Sequence, residues 1–451
     1  MTPAPARAAA LRALERVATD DAFADLVLDA ELTARRLEPR DAALATEIVY
    51  GTLRWQRHLD WRLAPHSRRP LDSLDTRVRV LLRMAAYQIV FLERVPAFAA
   101  VSDAVSLARP RAKPGVAEFV NAVLRSFTRG GGAGGAGHEP ALPADPVDAL
   151  AIRASFPTWL ARRWVERYGL DEATRLMHAM NDRPPVTVRV NALRSSREAA
   201  ACRLAAEEGL QTRPTHYAPE GLVVDHGGAP GAWRAFEDGV LAVQDEASML
   251  IARLLAPEAG EVVADACAAP GTKATHLAEL MRNRGVIYAL DPHPARLARV
   301  TEAAARLGVT IVEPRGGSVE ALADDLRNRC DAVLVDAPCT NLGVLRRNPE
   351  VKWRRREDDI AGSAARQHDI VKAAAAMVKP GGRLVYATCS LEPEENDAVI
   401  QALCQARPDF SRDPPADFPL ALDADGVLRC RPHIHGTDGF TAVRLRRDRA
   451  S

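Results

Sequence analysis

At 451 residues the chain is longer than one hydrophobic core usually serves, so two or three domains are expected. Its 47% apolar content can fill such cores, but a net charge of +1 provides no global field for nucleic acid, and any such site must be a local basic patch. The seven cysteines are odd in number, form no CxxC pair and lie at no zinc-like spacing with histidine, which argues against a disulfide or metal scaffold; no metal is expected.

The opening MTPAPARAAALRALERV lacks a continuous apolar signal core, and Glu15, Asp20 and Asp21 cut short its acid-free start. No apolar run approaches the roughly 20 residues that span a bilayer. A cytoplasmic protein without a membrane partner is expected, and a monomer. Residues 1–128 read as an all-helical domain: Leu11, Leu14 and Val17 share one face, Leu44, Ile48 and Val49 begin a second stripe, and Val78 to Phe91 is strongly apolar. The segment 129–150, with GGGAGGAG at Gly130 to Gly137, reads as a linker, so the chain from about residue 150 is expected to fold alone.

Residues 151–240 mix helical patterns at 160–168, 172–180 and 198–208 with β-like Val186 to Val190 and Gly221 to Val224, a small α+β domain. Across 241–451, β-like runs at Glu261–Ala266, Val286–Asp291, Val309–Glu313, Asp331–Asp336 and Gly382–Thr388 alternate with helices at 272–281, 294–307 and 360–377. That alternation is the pattern of an α/β, Rossmann-like, doubly wound parallel sheet, whose ligands bind at the carboxyl ends of the strands.

The residues just past these runs carry the chemistry. The first run ends in DACAAPGTKATHL, where Gly271 allows close backbone approach and a helix start offers free N–H groups. It is neither a Walker loop nor GxGxxG, because Cys267 and Thr272 stand where the Walker glycines belong. A tight turn without a ligand is the alternative. Asp291 ends the second run, where a carboxylate can accept both ribose hydroxyls or, alternatively, cap the next helix. A nucleoside cofactor without a phosphate loop tilts the choice to S-adenosylmethionine.

Runs four and five end in DAPCTNLGVLRR and YATCSLEPEEN, placing Cys339 and Cys389 past neighbouring strand ends. Either cysteine alone could be a small hydrophobe; two together suggest covalent catalysis. Carbon 5 of cytosine is a poor nucleophile until a thiolate adds at carbon 6 and makes the ring an enamine. That thiolate needs a nearby positive charge or a helix start. Asp336 is placed to hold the amino edge or protonated ring nitrogen 3 of the base. The residues alone do not say which cysteine attacks. Further on, Arg346, Arg347, Lys352, Arg354, Arg355 and Arg356 crowd around Trp353, a candidate phosphate- and base-binding patch whose alternative is a solvated helix face.

Taken together, CAAPGTK, DAPC with its following G-x-x-RR, and TCSLEPEEN resemble the RNA cytosine-5 methyltransferases of the NOP/Sun kind, and within them the B-type bacterial branch (Fmu/Sun) that acts on 16S ribosomal RNA. VQDEAS and HGTDGF resemble the segments that open and close that catalytic domain, and EIVYGTLRW, AAYQIVFL and FVNAVLR resemble a NusB-like RNA-binding domain. The resemblance covers nearly the whole chain. It implies Cys389 as nucleophile, Cys339 as the group that assists release of the adduct, and Cys267, Ala268, Ala269, Pro270, Gly271, Thr272, Lys273, Asp291, Gly317 and Asp336 around S-adenosyl-L-methionine and the cytosine. Two positions depart from the pattern: Thr272 replaces a glycine, and Gly317 stands where an acidic residue often faces the adenine, so Gly317→Asp is expected to tighten cofactor binding provided the backbone there tolerates a side chain. The competing readings are a non-catalytic ribosome-assembly factor, supported only by those two departures, and an amino-group methyltransferase, whose [DN]PP[YF]-like motif DAPC does not match.

Overall fold

Apolar residues at helical spacing from Ala6 to Phe127 collapse into one buried cluster, and the apolar helix expected near Val78 forms as Thr76–Phe91, capped by the Asp75 side chain on the Arg77 N–H. The computed structural model describes residues 4–20, 22–109, 114–132, 139–225 and 228–449. Within it the chain divides into two compact units, residues 1–182 with 345–355, and residues 183–344 with 356–451. Of the expected glycine linker, residues 133–137 lie outside the described residues, while Thr128–Gly132 runs on as a wide helical turn from the preceding helix.

The first unit does not stop at residue 128. Helices Pro146–Arg153, Thr158–Tyr168 and Leu170–Asn181 belong to it, held partly by Arg57, whose backbone N–H donates to Ser155 Oγ (3.0 Å) and whose guanidinium donates to the Phe156 carbonyl (2.7 Å). The unit also takes in Leu345–Arg355, and there the reading of a phosphate- and base-binding patch is corrected for Arg346 and Lys352, which are buried. Lys352 is fully buried; its Nζ donates to the carbonyls of Arg54 (3.1 Å) and Ser155 (3.2 Å) and to Asn181 Oδ1 (2.6 Å), and lies 4.0 Å from the Phe156 ring centre. Burial drives its proton affinity well down, and the Arg54 charge adds to the effect. Trp353 donates its indole N–H to the Leu53 carbonyl (2.7 Å), and Arg346 is also buried, its own carbonyl accepting from Arg54 Nη2 (3.0 Å). Lys352 and Arg346 therefore face the interior, whereas Arg347 is half-buried and Arg356 exposed.

The second unit contains two sheets. Strands β1 (Val186–Val190), β2 (Gln211–Pro214), β3 (Gly221–Asp225) and β4 (Leu241–Val243) form an antiparallel sheet in the order β2-β3-β1-β4. Strands β5 (Val262–Asp265), β6 (Val286–Asp291), β7 (Val312–Gly316), β8 (Cys330–Asp336) and β9 (Val378–Thr388) are parallel, in the order β9-β8-β5-β6-β7. The inner strands are buried on both faces and read as continuous apolar runs, as a covered parallel sheet requires. The third run was expected at 309–313 but pairs at 312–316: β7 is an exposed edge strand containing Pro314, and edges carry little apolar signal.

After β9 the chain adds β10 (Phe410–Arg412), β11 (Val427–Cys430) and β12 (Phe440–Arg447), with β12 antiparallel to β9, so the sheet is mixed rather than wholly parallel. The order reverses between β5 and β8, which places the switch point at the carboxyl ends of those two strands. Among the described residues no helix is long and apolar enough to cross a membrane, and no group of three or more His, Cys, Asp or Glu side chains is placed to hold a metal.

Because Lys352 satisfies three buried oxygens, a chain cut near residue 150 would strip it of the Arg54 carbonyl and expose the surface around it. Lys352→Met should lower the stability of the helical unit by about 2–4 kcal/mol, the cost of leaving such acceptors unpaired. The salt dependence of RNA affinity should stay unchanged. A phosphate contact would behave the opposite way, with the salt slope falling by about 1 and the melting temperature steady.

Candidate active site

The turn after β5 is shaped by backbone and by one buried ion pair. Gly271 has φ +101°, and a Cβ there would sit 3.0 Å from the Val300 Cα, so glycine is required. Thr272 opens helix Thr272–Leu280 in ordinary helical geometry, and its carbonyl accepts from Arg189 Nη1 (2.8 Å). Arg189, fully buried on β1, forks onto Glu279 with Nε–Oε2 at 3.0 Å and Nη2–Oε1 at 2.9 Å, and also bonds Thr275 Oγ1 and Gln244. The small sheet is thereby bolted to the helix that presents the Cys267–Lys273 loop. The rest of the VQDEAS segment is used structurally as well: Asp245 caps helix Glu246–Leu255 and accepts the Asp438 N–H, while Glu246 accepts from Tyr217 and Ala218.

A cleft of about 210 Å³ beside this loop is lined by Gln244, Asp245, Cys267, Pro270, Lys273 and Asp336 among others. Lys273 Nζ lies 2.6 Å from Asp336 Oδ2. Burial works against the lysine's charge, but the Asp336 carboxylate outweighs it and holds Lys273 firmly protonated. Asp265, at the end of β5, is fully buried with no hydrogen-bond partner on either carboxylate oxygen, and burial together with the Asp336 charge pushes its carboxyl up to about 7. Burial also pushes up the Cys267 thiol.

Asp291, nearly buried, accepts the His293 N–H through Oδ1 (2.9 Å), with Arg296 3.5 Å from Oδ2. Its carbonyl receives the Gly317 N–H (3.3 Å). At Gly317 the backbone has φ +151°, and a Cβ would press on the Leu322 side chain at 3.1 Å. The condition attached to Gly317→Asp therefore fails: an aspartate there is strained, and the expected gain in affinity is withdrawn. The adjacent Ser318 Oγ is occupied in capping the short helix Val319–Leu322.

The two cysteines come together. Cys339 Sγ and Cys389 Sγ are 3.1 Å apart, in the loops after the parallel neighbours β8 and β9. The contact with Cys389 and then burial raise the Cys339 thiol well above its ordinary value. A residue that motif reading left without a role makes this meeting possible. Glu395 is fully buried; Oε1 accepts the Thr340 N–H (2.9 Å) and Gln367 Nε2 (3.0 Å), and Oε2 accepts the hydroxyls of Thr340 (2.5 Å) and Ser390. One carboxylate thus clamps the Cys339 loop to the Cys389 loop, and Tyr386 Oη donates to its carbonyl (2.6 Å). Gly343 and Gly439 touch backbone to backbone and leave no room for a Cβ, which accounts for the closing HGTDGF segment.

Two predictions follow from this frame. Arg189→Ala leaves Glu279 charged and buried and should destabilise the second unit by about 3–5 kcal/mol, read by chemical denaturation, with Glu279→Gln milder because it keeps an acceptor. Asp265 holds its proton in the folded state up to about pH 7, whereas the unfolded chain releases it near 4. Its contribution therefore makes stability fall as pH rises through that window. Asp265→Asn should flatten the fall in melting temperature; equal slopes in both proteins would mean that folded Asp265 is ionised.

Comparison with known proteins places this geometry. The family model described as 16S rRNA methyltransferase RsmB/F matches residues 252–446, the NusB family model matches 4–129, and a ferredoxin-like domain model of the same methyltransferases matches 156–229. A probable ribosomal RNA small subunit methyltransferase B of Bacillus subtilis is 38% identical over 97% of this chain and 98% of its own length. The ribosomal RNA small subunit methyltransferase B of Pseudomonas putida is 34% identical over 97% and 98%. The crystal structure of PH0851 superposes with a TM-score of 0.85 at 29% identity, covering 99% of both chains. The chain belongs to the RsmB/F methyltransferase family, with an N-terminal NusB domain, a ferredoxin-like middle domain and a C-terminal methyltransferase domain.

Proposed function

We propose that the protein transfers a methyl group from S-adenosyl-L-methionine to carbon 5 of a cytosine in 16S ribosomal RNA, with Cys389 as the covalent nucleophile. The observation that carries this reading is the 3.1 Å approach of the Cys389 and Cys339 sulfurs, in the same unit as the Lys273–Asp336 pair. The names of the relatives as ribosomal RNA small subunit methyltransferases support the substrate class.

The residues around the first loop fit the cofactor. Gly271 brings backbone to the cleft wall, Asp265 keeps an unpartnered buried carboxyl behind it, and Asp291 ends the next strand, where ribose hydroxyls are commonly held. Cys267–Lys273, Asp291 and the backbone near Gly317 would hold it. When bound, the cofactor supplies an electrophilic methyl group on a sulfonium sulfur.

The chain supplies the rest. The Cys389 thiolate adds to carbon 6, ring nitrogen 3 takes a proton from water as the displaced electron pair reaches it, and the Asp336 carboxylate accepts a hydrogen bond from that N–H or from the amino group. Lys273 donates to Oδ2 of Asp336, so in this reading Oδ1 is the oxygen that accepts from the base. The bound cofactor would supply its methyl group to carbon 5, which the addition has made enamine-like and nucleophilic. The carbon 5 proton is then lost to a base and the Cys389–carbon 6 bond breaks. Cys339, 3.1 Å from Cys389, is placed to assist the elimination that breaks this bond.

Methyl transfer from tritiated S-adenosylmethionine to unmodified 16S ribosomal RNA, followed by nucleoside mapping, should yield 5-methylcytidine. Cys389→Ala should lower the rate at least about a thousandfold. Label on an exocyclic amino group, or full activity of Cys389→Ala, would overturn the reading.

A further inference from the structure

Between the two thiols stands a side chain to which no motif reading gave a role. Asn341 lies two residues beyond Cys339 with φ +63°. Glycine adopts that backbone freely and asparagine only tolerates it, so the turn itself does not require a side chain here. The carboxamide nevertheless reaches both sulfurs: Oδ1 accepts from the Cys389 thiol at 3.0 Å and from the Cys339 thiol at 3.4 Å. Among the described residues, the hydrogen bonds of Cys389 Sγ go to Asn341 and Cys339 and to no lysine, arginine or histidine.

A nucleophilic thiolate needs a donor or a positive charge close by. Lys273, the half-buried cation nearby, interacts electrostatically with Cys389 but is paired with Asp336 at 2.6 Å, and its ammonium makes no hydrogen bond to the sulfur. Cys339 could donate to a Cys389 thiolate, but the same group is needed later to help expel it. The asparagine carboxamide has no such conflict. Its two ends are almost the same size, so a half-turn about its last bond replaces the acceptor oxygen with an N–H donor.

The geometry points to Asn341 as the positioning residue for the nucleophile: its carboxamide accepts the S–H of the resting Cys389 thiol and, turned over, donates N–H to the thiolate, holding the sulfur in line and favouring its ionised form. The backbone N–H of the same residue serves Cys339, and the carboxamide lies farther from that sulfur, so the side chain's help is weighted towards Cys389. This inference rests on the reading that Cys389 is the thiol that attacks.

The test uses the full-length protein in a Cys339→Ser background, so that Cys389 is the one thiol of the pair. Alkylation of Cys389 by iodoacetamide is followed against pH by peptide-resolved mass spectrometry, with and without Asn341→Gly, which keeps the left-handed backbone and removes the carboxamide. Loss of a donor to a charged sulfur should move the alkylation midpoint up by about one pH unit, roughly a tenfold loss of thiolate at neutral pH. Asn341→Asp should move it at least as far, because a carboxylate opposes the thiolate. With Cys339 restored, Asn341→Gly should lower kcat and shift the acid limb of the pH–rate profile upward, leaving KM for S-adenosylmethionine unchanged. A midpoint that stays put or falls in Asn341→Gly overturns the inference. If the midpoint rises but Cys389→Ala still methylates RNA, the effect on the thiol stands and the assignment of the nucleophile fails instead.

Discussion

The buried carboxylate of Glu395 is the constraint on which the site depends. Neighbouring strands of a parallel sheet deliver their loops to the same edge, but nothing in strand pairing fixes the distance between two side chains in those loops. Glu395 does so by accepting from Thr340 on one loop, from Ser390 on the other, and from Gln367 on the helix packed beneath. A buried carboxylate without partners would be severely unfavourable. With four donors the desolvation is offset, and the network tolerates one arrangement of the two loops. The 3.1 Å approach of the thiols follows from that arrangement.

A second constraint acts on the other side of the cleft. Arg189 and Glu279 join the ferredoxin-like sheet to the helix that begins the Cys267–Lys273 loop, and the Thr272 carbonyl is part of the same fork. The replacement of a glycine by Thr272 is thus accommodated in the first turn of a helix, and Gly317 answers to its own backbone angle. Both departures from the family pattern have conformational explanations.

Much of this was legible in the sequence where periodicity and position carry it. The inner strands β5, β6, β8 and β9 are nearly continuous apolar runs, and the residues immediately past them are the ones that line the site. What escaped has a common physical cause. Arg189 alternates with valines in VTVRV and reads locally as a polar outward face; its burial depends on Glu279, ninety residues away. Lys352 lies in a basic cluster that suggests solvent, yet its partners are at residues 54, 155 and 181. Glu395 sits in a recognised motif, but its role emerges only when Thr340 and Gln367 are brought to it. β7 and β10 are short edge strands whose exposure erases the apolar signal. Local pattern reports which way a residue would face alone, and these residues are defined by what arrives from elsewhere in the chain.

The helical unit and the methyltransferase unit are not simply consecutive. The chain leaves the second after Val344, a few residues beyond Cys339, contributes Leu345–Arg355 to the first and returns at Arg356. A basic stretch that sequence would assign to substrate is in large part the anchor of that excursion. The measurement that bears most directly on the account is covalent trapping with RNA carrying 5-fluorocytosine at the target position, whose carbon 5 retains no proton to release. In the presence of S-adenosylmethionine the wild-type protein should form an adduct that survives denaturing electrophoresis, Cys339→Ala should form it too, and Cys389→Ala should form none. An adduct that persists in Cys389→Ala and disappears in Cys339→Ala would contradict the account.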